Sequence, residues 1–231
     1  MKHTENNILI SQAKYVANIL ERFNMQNKKP TPTPTIMGLE LRKENCSSNV
    51  NLTLYKSMID SLMYLTATRP NIMYAVSLVS IFMETPKETH WQITKRILRH
   101  VNGTKQYGIQ YAATNDFRLV SYTNSDWVGS VDERKSMSRY IFHLGSGGIS
   151  RASTKQPIMS LSTTEAKYAA TTATTCQAIW MRRMLRDLRH DQRGTTSVFC
   201  DNTSVIALSK NLVFHKRTKH IDAKYHFIIV D

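Results

Sequence analysis

The run LVSYTNSDWVGS, residues 119 to 130, begins as a β-type segment, Leu119-Val120-Ser121-Tyr122-Thr123, and ends in polar residues and a tryptophan. Strand ends are where many phosphoryl-transfer enzymes gather carboxylates around metal ions. The first position past the apolar run is an amide, Asn124, and the aspartate, Asp126, follows two residues later. On a strand these two share a face, ~6.6 Å apart. The segment therefore reads as a metal site, as what is left of one, or as a polar strand end.

Three further acidic positions stand in the same half of the chain. Glu165 lies in the first turn of a long predicted helix, Asp201 ends the predicted strand Val198-Phe199-Cys200, and Asp222 sits in a predicted last helix from Lys219 to Val230. Two-metal phosphodiester hydrolysis needs about four carboxylates around two Mg²⁺ ions roughly 4 Å apart, and hard oxygen donors suit Mg²⁺. Asp and Glu also occur at strand ends and helix N-termini for capping and solubility, so the spacing alone leaves both readings open.

Outward from this stretch, the second half reads as β-β-β, α, β, α, α. Tyr107 to Tyr111, Arg118 to Thr123 and Ser138 to Leu144 are β-like, and Ile149 opens another short strand after the Gly145–Gly148 turn. The long helix starts at Ser162 or Thr163. This order predicts a mixed sheet covered by helices. The first half differs. Ile8-Leu9-Ile10 reads as a strand and Ser11 as the cap of an amphipathic helix bearing Tyr15, Val16, Ile19, Leu20 and Phe23. KKPTPTPT, residues 28 to 35, excludes helix and is either a disordered linker or an ordered strap. Residues 54 to 101 read as three helices, broken at Arg69-Pro70 and closed by Gly103.

The net charge of +14 points to a polyanionic partner, nucleic acid before an anionic membrane, or to a solvated basic surface. Arg182, Arg183, Arg186 and Arg189 on the long helix, with Lys216, Arg217 and Lys219 near the end, are the candidate phosphate contacts, or else a solvated face. Trp91, Trp127 and Trp180 read as core residues before base-stacking platforms. The three cysteines form no CxxC pair, which favours a reducing compartment. No signal-peptide core precedes them, and no run approaches the ~18 apolar residues of a membrane helix. A soluble protein of the cytoplasm or nucleus is expected.

The motifs carry a resemblance. Tyr122 to Gly129 followed by Asp132-Glu133-Arg134-Lys135-Ser136 resembles the YTDSDWAG…DDRKSTSGY signature of Copia (Ty1/copia) retrotransposon Pol polyproteins. Ser150 to Pro157 is similar to SWSSKKQP, Leu161 to Tyr168 to ALSSTEAEY, and Phe199 to Ile228 to the closing CDNxSAIALxxNPVFHxRTKHIDIxYHFI. Upstream, SLMYLTATRPNIMYAV, ETHWQITKRILRHVNGT and LISQAKYVANILERFNMQNKKPTPTP resemble segments that follow the polymerase active site. The likeness covers nearly the whole chain.

The resemblance implies an α/β fold, an RNase H-like mixed sheet flanked by helices, preceded by an α-helical thumb and connection. It implies a reverse-transcriptase tail with the strap over residues 1–35, a helical region over 36–113 and an RNase H-like domain, truncated at its C-terminus, over 114–231. It implies hydrolysis of RNA in RNA–DNA hybrids with two Mg²⁺ ions held by Asp126, Glu165, Asp201 and Asp222. His215 would assist product release. The partners would be hybrid or other nucleic acid and the rest of the Pol polyprotein, with no membrane. The polymerase carboxylates are expected before residue 1, so no polymerase is expected here.

The copy departs from the family where it matters. The family's strand aspartate is Asn124, and its EAE pair is Glu165 and Lys167. Residues i and i+2 of a helix face different ways, so 165 and 167 cannot both face the site, and 167 matches the ligand position of wider relatives at least as well. Arg139 stands for a strand glycine, Arg151 for a tryptophan and Asn71 for an aspartate. Three functions are therefore in view. These are an active RNase H, a nucleic-acid-binding relic, and a secreted RxLR-type effector. The last would rest on Arg96-Ile97-Leu98-Arg99 and Arg183-Met184-Leu185-Arg186.

Overall fold

The structure is a computed structural model that describes residues 1–36, 38–39, 41–43, 47–114, 116–130 and 135–210, without the side chains of 127–130. The helix expected from Lys219 to Val230 lies outside them. The chain forms two compact units, Met1–Ala113 and Thr114–Asp231. Among the described residues, two sheets and six α-helices make it a mixed α/β protein, and no helix is long and apolar enough to cross a membrane.

In the first unit, β1 (Lys2–Thr4), β2 (Asn7–Ser11) and β3 (Gly108–Ala112) form an antiparallel sheet with β2 central. The strand expected at 107–111 thus belongs to this sheet and not to the second one. Its partner is the Ile8-Leu9-Ile10 strand, since Ile10 stands opposite Ile109 and Ile8 opposite Tyr111. α1 (Ala13–Arg22) begins after Gln12, without a side-chain cap, and Ser11 is the last residue of β2. Val16, Ile19 and Leu20 of α1 join a core with Tyr55, Ile59 and Leu62 of α2 (Leu52–Leu65), Val76 and Val79 of α3 (Met73–Ser80) and Ile97 and Leu98 of α4 (Glu88–Gly103). Residues 1–35 and the helices after them therefore share one core.

The proline-rich segment is an ordered strap across α4. Thr31 Oγ1 donates to the Arg96 carbonyl at 3.4 Å, Arg96 donates to Thr33 Oγ1 at 3.0 Å, and Asn102 donates to the Lys28 carbonyl at 3.0 Å. Gly103 is there for this approach. A Cβ on it would lie 2.9 Å from Pro30 Cβ, and the helix ends at Thr104 with no left-handed glycine. Beneath the strap, Arg69 is almost fully buried and donates to the Thr104 carbonyl at 2.9 Å and to Asn71 Oδ1 at 3.2 Å. Asn71 reaches His100 Nε2 at 3.0 Å, and His100 Nδ1 meets the Thr31 carbonyl at 3.2 Å. An amide at 71 accepts from Arg69 and donates to a neutral His100 at once. This departure from the family is therefore accommodated in full.

The second unit is built on β4 (Leu119–Ser130), β5 (Lys135–Leu144) and β6 (Gly147–Lys155), an antiparallel meander. β7 (Ser197–Cys200) adds parallel to β4, giving the order β6-β5-β4-β7. Along β4, Ser121, Thr123 and Ser125 are buried and Tyr122 and Asn124 exposed, the period of two of a strand covered on one face. The cover is α5 (Thr163–Asp187), whose Ala178, Met181 and Leu185 pack on Leu119 and Phe142. α6 (Thr203–Lys210) follows β7 and packs Val205 and Leu208 against Tyr168 of α5. Trp91 is buried, but Trp180 is 54% exposed, which corrects its reading as core. It lies one residue off the Ala178–Met181–Leu185 stripe, ~100° around the helix. The side chain of Trp127 is outside the description.

Candidate functional site

β4 runs on to Ser130, so Asn124 and Asp126 lie within the strand and not at its end as expected, with Asn124 exposed on the face away from α5. The parallel register ends with Thr123 opposite Cys200, and Asp201 follows directly after β7. Across the other edge of β4, Asn124 stands directly opposite Arg139 and Asp126 opposite Met137. Cross-strand partners share a face, so Arg139 points to the same side as Asn124 and Asp126.

Each remaining carboxylate at this corner of the second sheet holds a cation. Arg139 binds Asp126 Oδ2 at 3.1 Å, and the Met137 N–H donates to Asp126 Oδ1 at 2.7 Å. Lys167 Nζ lies 2.6 Å from Asp201 Oδ1. Lys167 is mostly buried, while Asp201 is largely exposed. Asn124 spends its oxygen on the backbone, accepting from the Ser125 N–H at 2.7 Å. Position 167, not 165, is thus the one that reaches Asp201.

Glu165 does something else. It is 5% exposed, and its Oε2 accepts from the Leu161 N–H at 2.6 Å, while its own N–H donates to Ser162 Oγ at 3.1 Å. This reciprocal pair closes the N-terminus of α5 as a capping device. The Glu165 carboxylate is committed to a helix end and does not meet Asp126 or Asp201.

Residue 156 was missed by motif reading. Gln156 is buried, and its Nε2 donates to Ser138 Oγ and to the Ala166 carbonyl, each at 2.8 Å, while its Oε1 accepts from Ser160 at 3.1 Å. It ties β5 to the first turn of α5 and so places Lys167. The available signal was its place in SRASTKQP, residues 150 to 157, where it matches the glutamine of SWSSKKQP.

Asp222, His215, Lys216, Arg217 and Lys219 lie outside the described residues. Among the described residues, no three His, Cys, Asp or Glu side chains gather as a metal-binding group. The donor set that is described, two carboxylates each paired with a basic side chain and one amide, does not fit two divalent ions.

The arginines of α5 divide into two kinds. Arg182 is structural, since it donates to Thr196 Oγ1 at 3.0 Å and to the Gln192 carbonyl at 2.8 Å. Arg183, Arg186 and Arg189 are exposed. Both RxLR matches lie inside helices, where Ile97, Leu98 and Leu185 are core residues.

Comparison with known proteins now places the chain. The Retrovirus-related Pol polyprotein from transposon TNT 1-94 of Nicotiana tabacum is 42% identical over 234 residues, covering 98% of this chain. Along nearly its whole length the chain is similar to a segment of retrovirus-related transposon Pol polyproteins. The Pol polyprotein from transposon RE1 of Arabidopsis thaliana is 37% identical over 227 residues, again 98% of the chain. The chain spans 18% and 16% of the length of these two Pol polyproteins. A protein named Secreted RxLR effector protein 161, from Plasmopara viticola, is 40% identical over 128 residues, 55% of this chain and 90% of that protein. No protein-family model matches the chain, and no solved structure does.

Proposed function

We propose that the chain is the thumb, connection and RNase H-like part of a Copia-type Pol polyprotein in which hybrid hydrolysis is lost and nucleic-acid binding is kept. One observation carries this reading. The two basic side chains that depart from the family motifs, Arg139 and Lys167, sit on the two remaining carboxylates, Asp126 within β4 and Asp201 just past β7. Carboxylates that hold guanidinium and ammonium groups are not free to take up Mg²⁺, and two like-charged neighbours disfavour a divalent cation further. In the family reading Asp222 is the fourth ligand position and His215 the product-release histidine. Neither repairs the loss at 124 and 167. The free thiols of Cys176 and Cys200 are in keeping with a reducing compartment.

The likeness to a protein named as a secreted effector adds no second function here. Its namesake motif, where it occurs in this chain, is helix and core. The partner is nucleic acid, drawn by the net charge of +14.

The test is cleavage of a labelled RNA–DNA hybrid in Mg²⁺ and in Mn²⁺. The unmodified chain is expected to leave the hybrid intact and the triple variant Asn124→Asp, Arg139→Gly, Lys167→Glu to cut it, with Asp201→Asn abolishing the gain. Cleavage by the unmodified chain that Asp201→Asn removes would refute the reading. A silent triple variant would refute the assignment of the ligand positions.

A further inference from the structure

We infer that the outer face of the last turns of α5 is a binding site for single-stranded nucleic acid, with Trp180 stacking an unpaired base and Arg183 and Arg186 holding the flanking phosphates. This deepens the nucleic-acid part of the proposed function and owes nothing to the metal corner.

The geometry is that of one helix face. Ile179 and Trp180 are 45% and 54% exposed. Arg183 follows Trp180 by three residues and Arg186 by six, so indole and guanidinium groups line one side of α5. Beside them lies a groove of about 370 Å³, lined by Ile179, Arg182, Arg183, Arg186, Asp191 and Gln192. That volume is in the range of small-ligand clefts.

The groove is rigid where it needs to be. Arg182 clamps the 192–196 loop to the helix. Gln192 in turn accepts from the Leu119 N–H at 2.7 Å and donates to the Phe117 carbonyl at 3.0 Å. The opposite wall is thereby fastened to the start of β4. Arg182 is spent on this clamp, which leaves Arg183 and Arg186 for a ligand.

The occupant follows from the chemistry. A tryptophan more than half in water gains most from a flat partner. Next to two arginines, that partner is one attached to phosphates. Bases in a duplex are already stacked on one another, so only an unpaired base can use the indole. Asp187 and Asp191 flank the arginines and oppose a purely electrostatic site. They make the stacking contribution the larger share of any selectivity.

The experiment uses the full chain and fluorescence anisotropy with a 5′-labelled thymidine 20-mer, single-stranded or paired with its complement. Trp180→Ala is expected to weaken single-strand binding about tenfold, within the range found for loss of a base-stacking side chain, and to leave duplex binding within twofold. Trp180→Phe should restore most of the loss. Arg183→Ala and Arg186→Ala should weaken both substrates and lower the single-strand salt slope by about 0.7 per contact. Equal single-strand affinity of the unmodified chain and Trp180→Ala would overturn this inference while leaving nucleic-acid binding in place. Absence of any salt-dependent binding would overturn both. Competition by polyglutamate of equal charge at equal concentration would overturn it in favour of an acidic protein partner.

Discussion

Lys167→Glu is the sharpest perturbation of the corner. The native pair joins a mostly buried ammonium to a carboxylate that is 60% exposed, at 2.6 Å. Water screens such a pair, and its contribution is about 0.5–1 kcal/mol. The substitution removes it and sets two carboxylates at similar range. Like charges ~4 Å apart cost about 1 kcal/mol in bulk water and more in a partly buried setting. The sum is a loss of about 1.5–2 kcal/mol. For a unit of this size that lowers Tm by roughly 5–10 °C. The decisive comparison is made by scanning calorimetry in EDTA and in 10 mM Mg²⁺. The native chain is expected to melt at the same temperature in both. The variant is expected to melt low in EDTA and to regain several degrees in Mg²⁺, because a divalent ion binds the folded corner only. A native chain whose Tm rises with Mg²⁺ would refute the view that the corner neutralises itself. A variant as stable as the native chain in EDTA would refute the worked magnitude.

Three further outcomes follow from other parts of the fold. Burial holds His100 below the usual histidine range, against the pull of the Thr31 carbonyl and with help from the Arg69 charge. The unfolded chain therefore takes up a proton first. The stabilisation is complete above the unfolded value of ~6.5 and is lost as pH falls below it through the lower folded value, so urea midpoints should drop from pH 7.5 to 5 by more in the native chain than in His100→Gln. Arg189 sits at φ +60 at the end of α5, where His190 N–H bonds the Leu185 carbonyl and Arg189 N–H that of Arg186. Glycine suits this Schellman position, so Arg189→Gly should stabilise by about 1 kcal/mol in urea unfolding, and no gain would show the position is unstrained. Gly103→Ala gains up to ~1 kcal/mol of helix propensity but drives a methyl into the Pro30 ring. A net loss of stability with faster proteolysis of the strap is expected, and a net gain would refute the close approach.

Much of this was legible in the sequence, and what was hidden has common causes. The apolar stripe of α1 is a local signal and that helix appears where the stripe puts it, whereas β4 runs on to Ser130, past the Thr123 at which its β-type run ends, and buries Ser121, Thr123 and Ser125 while Tyr122 is exposed. The segment Lys2–Thr4 became a strand with every residue exposed. It has no pattern to read, because pairing with β2 and not burial makes it a strand. The proline strap left two readings open, since order there comes from hydrogen bonds to residues 60 or more positions away. Trp180 was misread because aromatic residues are usually inside, and which side of a 25-residue helix faces the sheet is fixed by packing.

The corner is a harder case, and it separates loss of acids from gain of bases. Asn124 and Lys167 were visible as acid losses from motif comparison alone. Arg139 was visible only as an odd residue in a strand. Nothing short of the β4–β5 register could place it opposite Asn124 and on Asp126. That register changes the inference. Loss of ligands alone would leave Asp126 and Asp201 each without a cation. The described residues instead supply one base to each acid. The bases also bridge elements, Lys167 from α5 to the end of β7 and Arg139 from β5 to β4. On the family reading, these are the links that bound metal would otherwise make. On the proposed reading, a sheet whose strands and covering helix are joined by these ion pairs can lose hydrolysis and keep its fold.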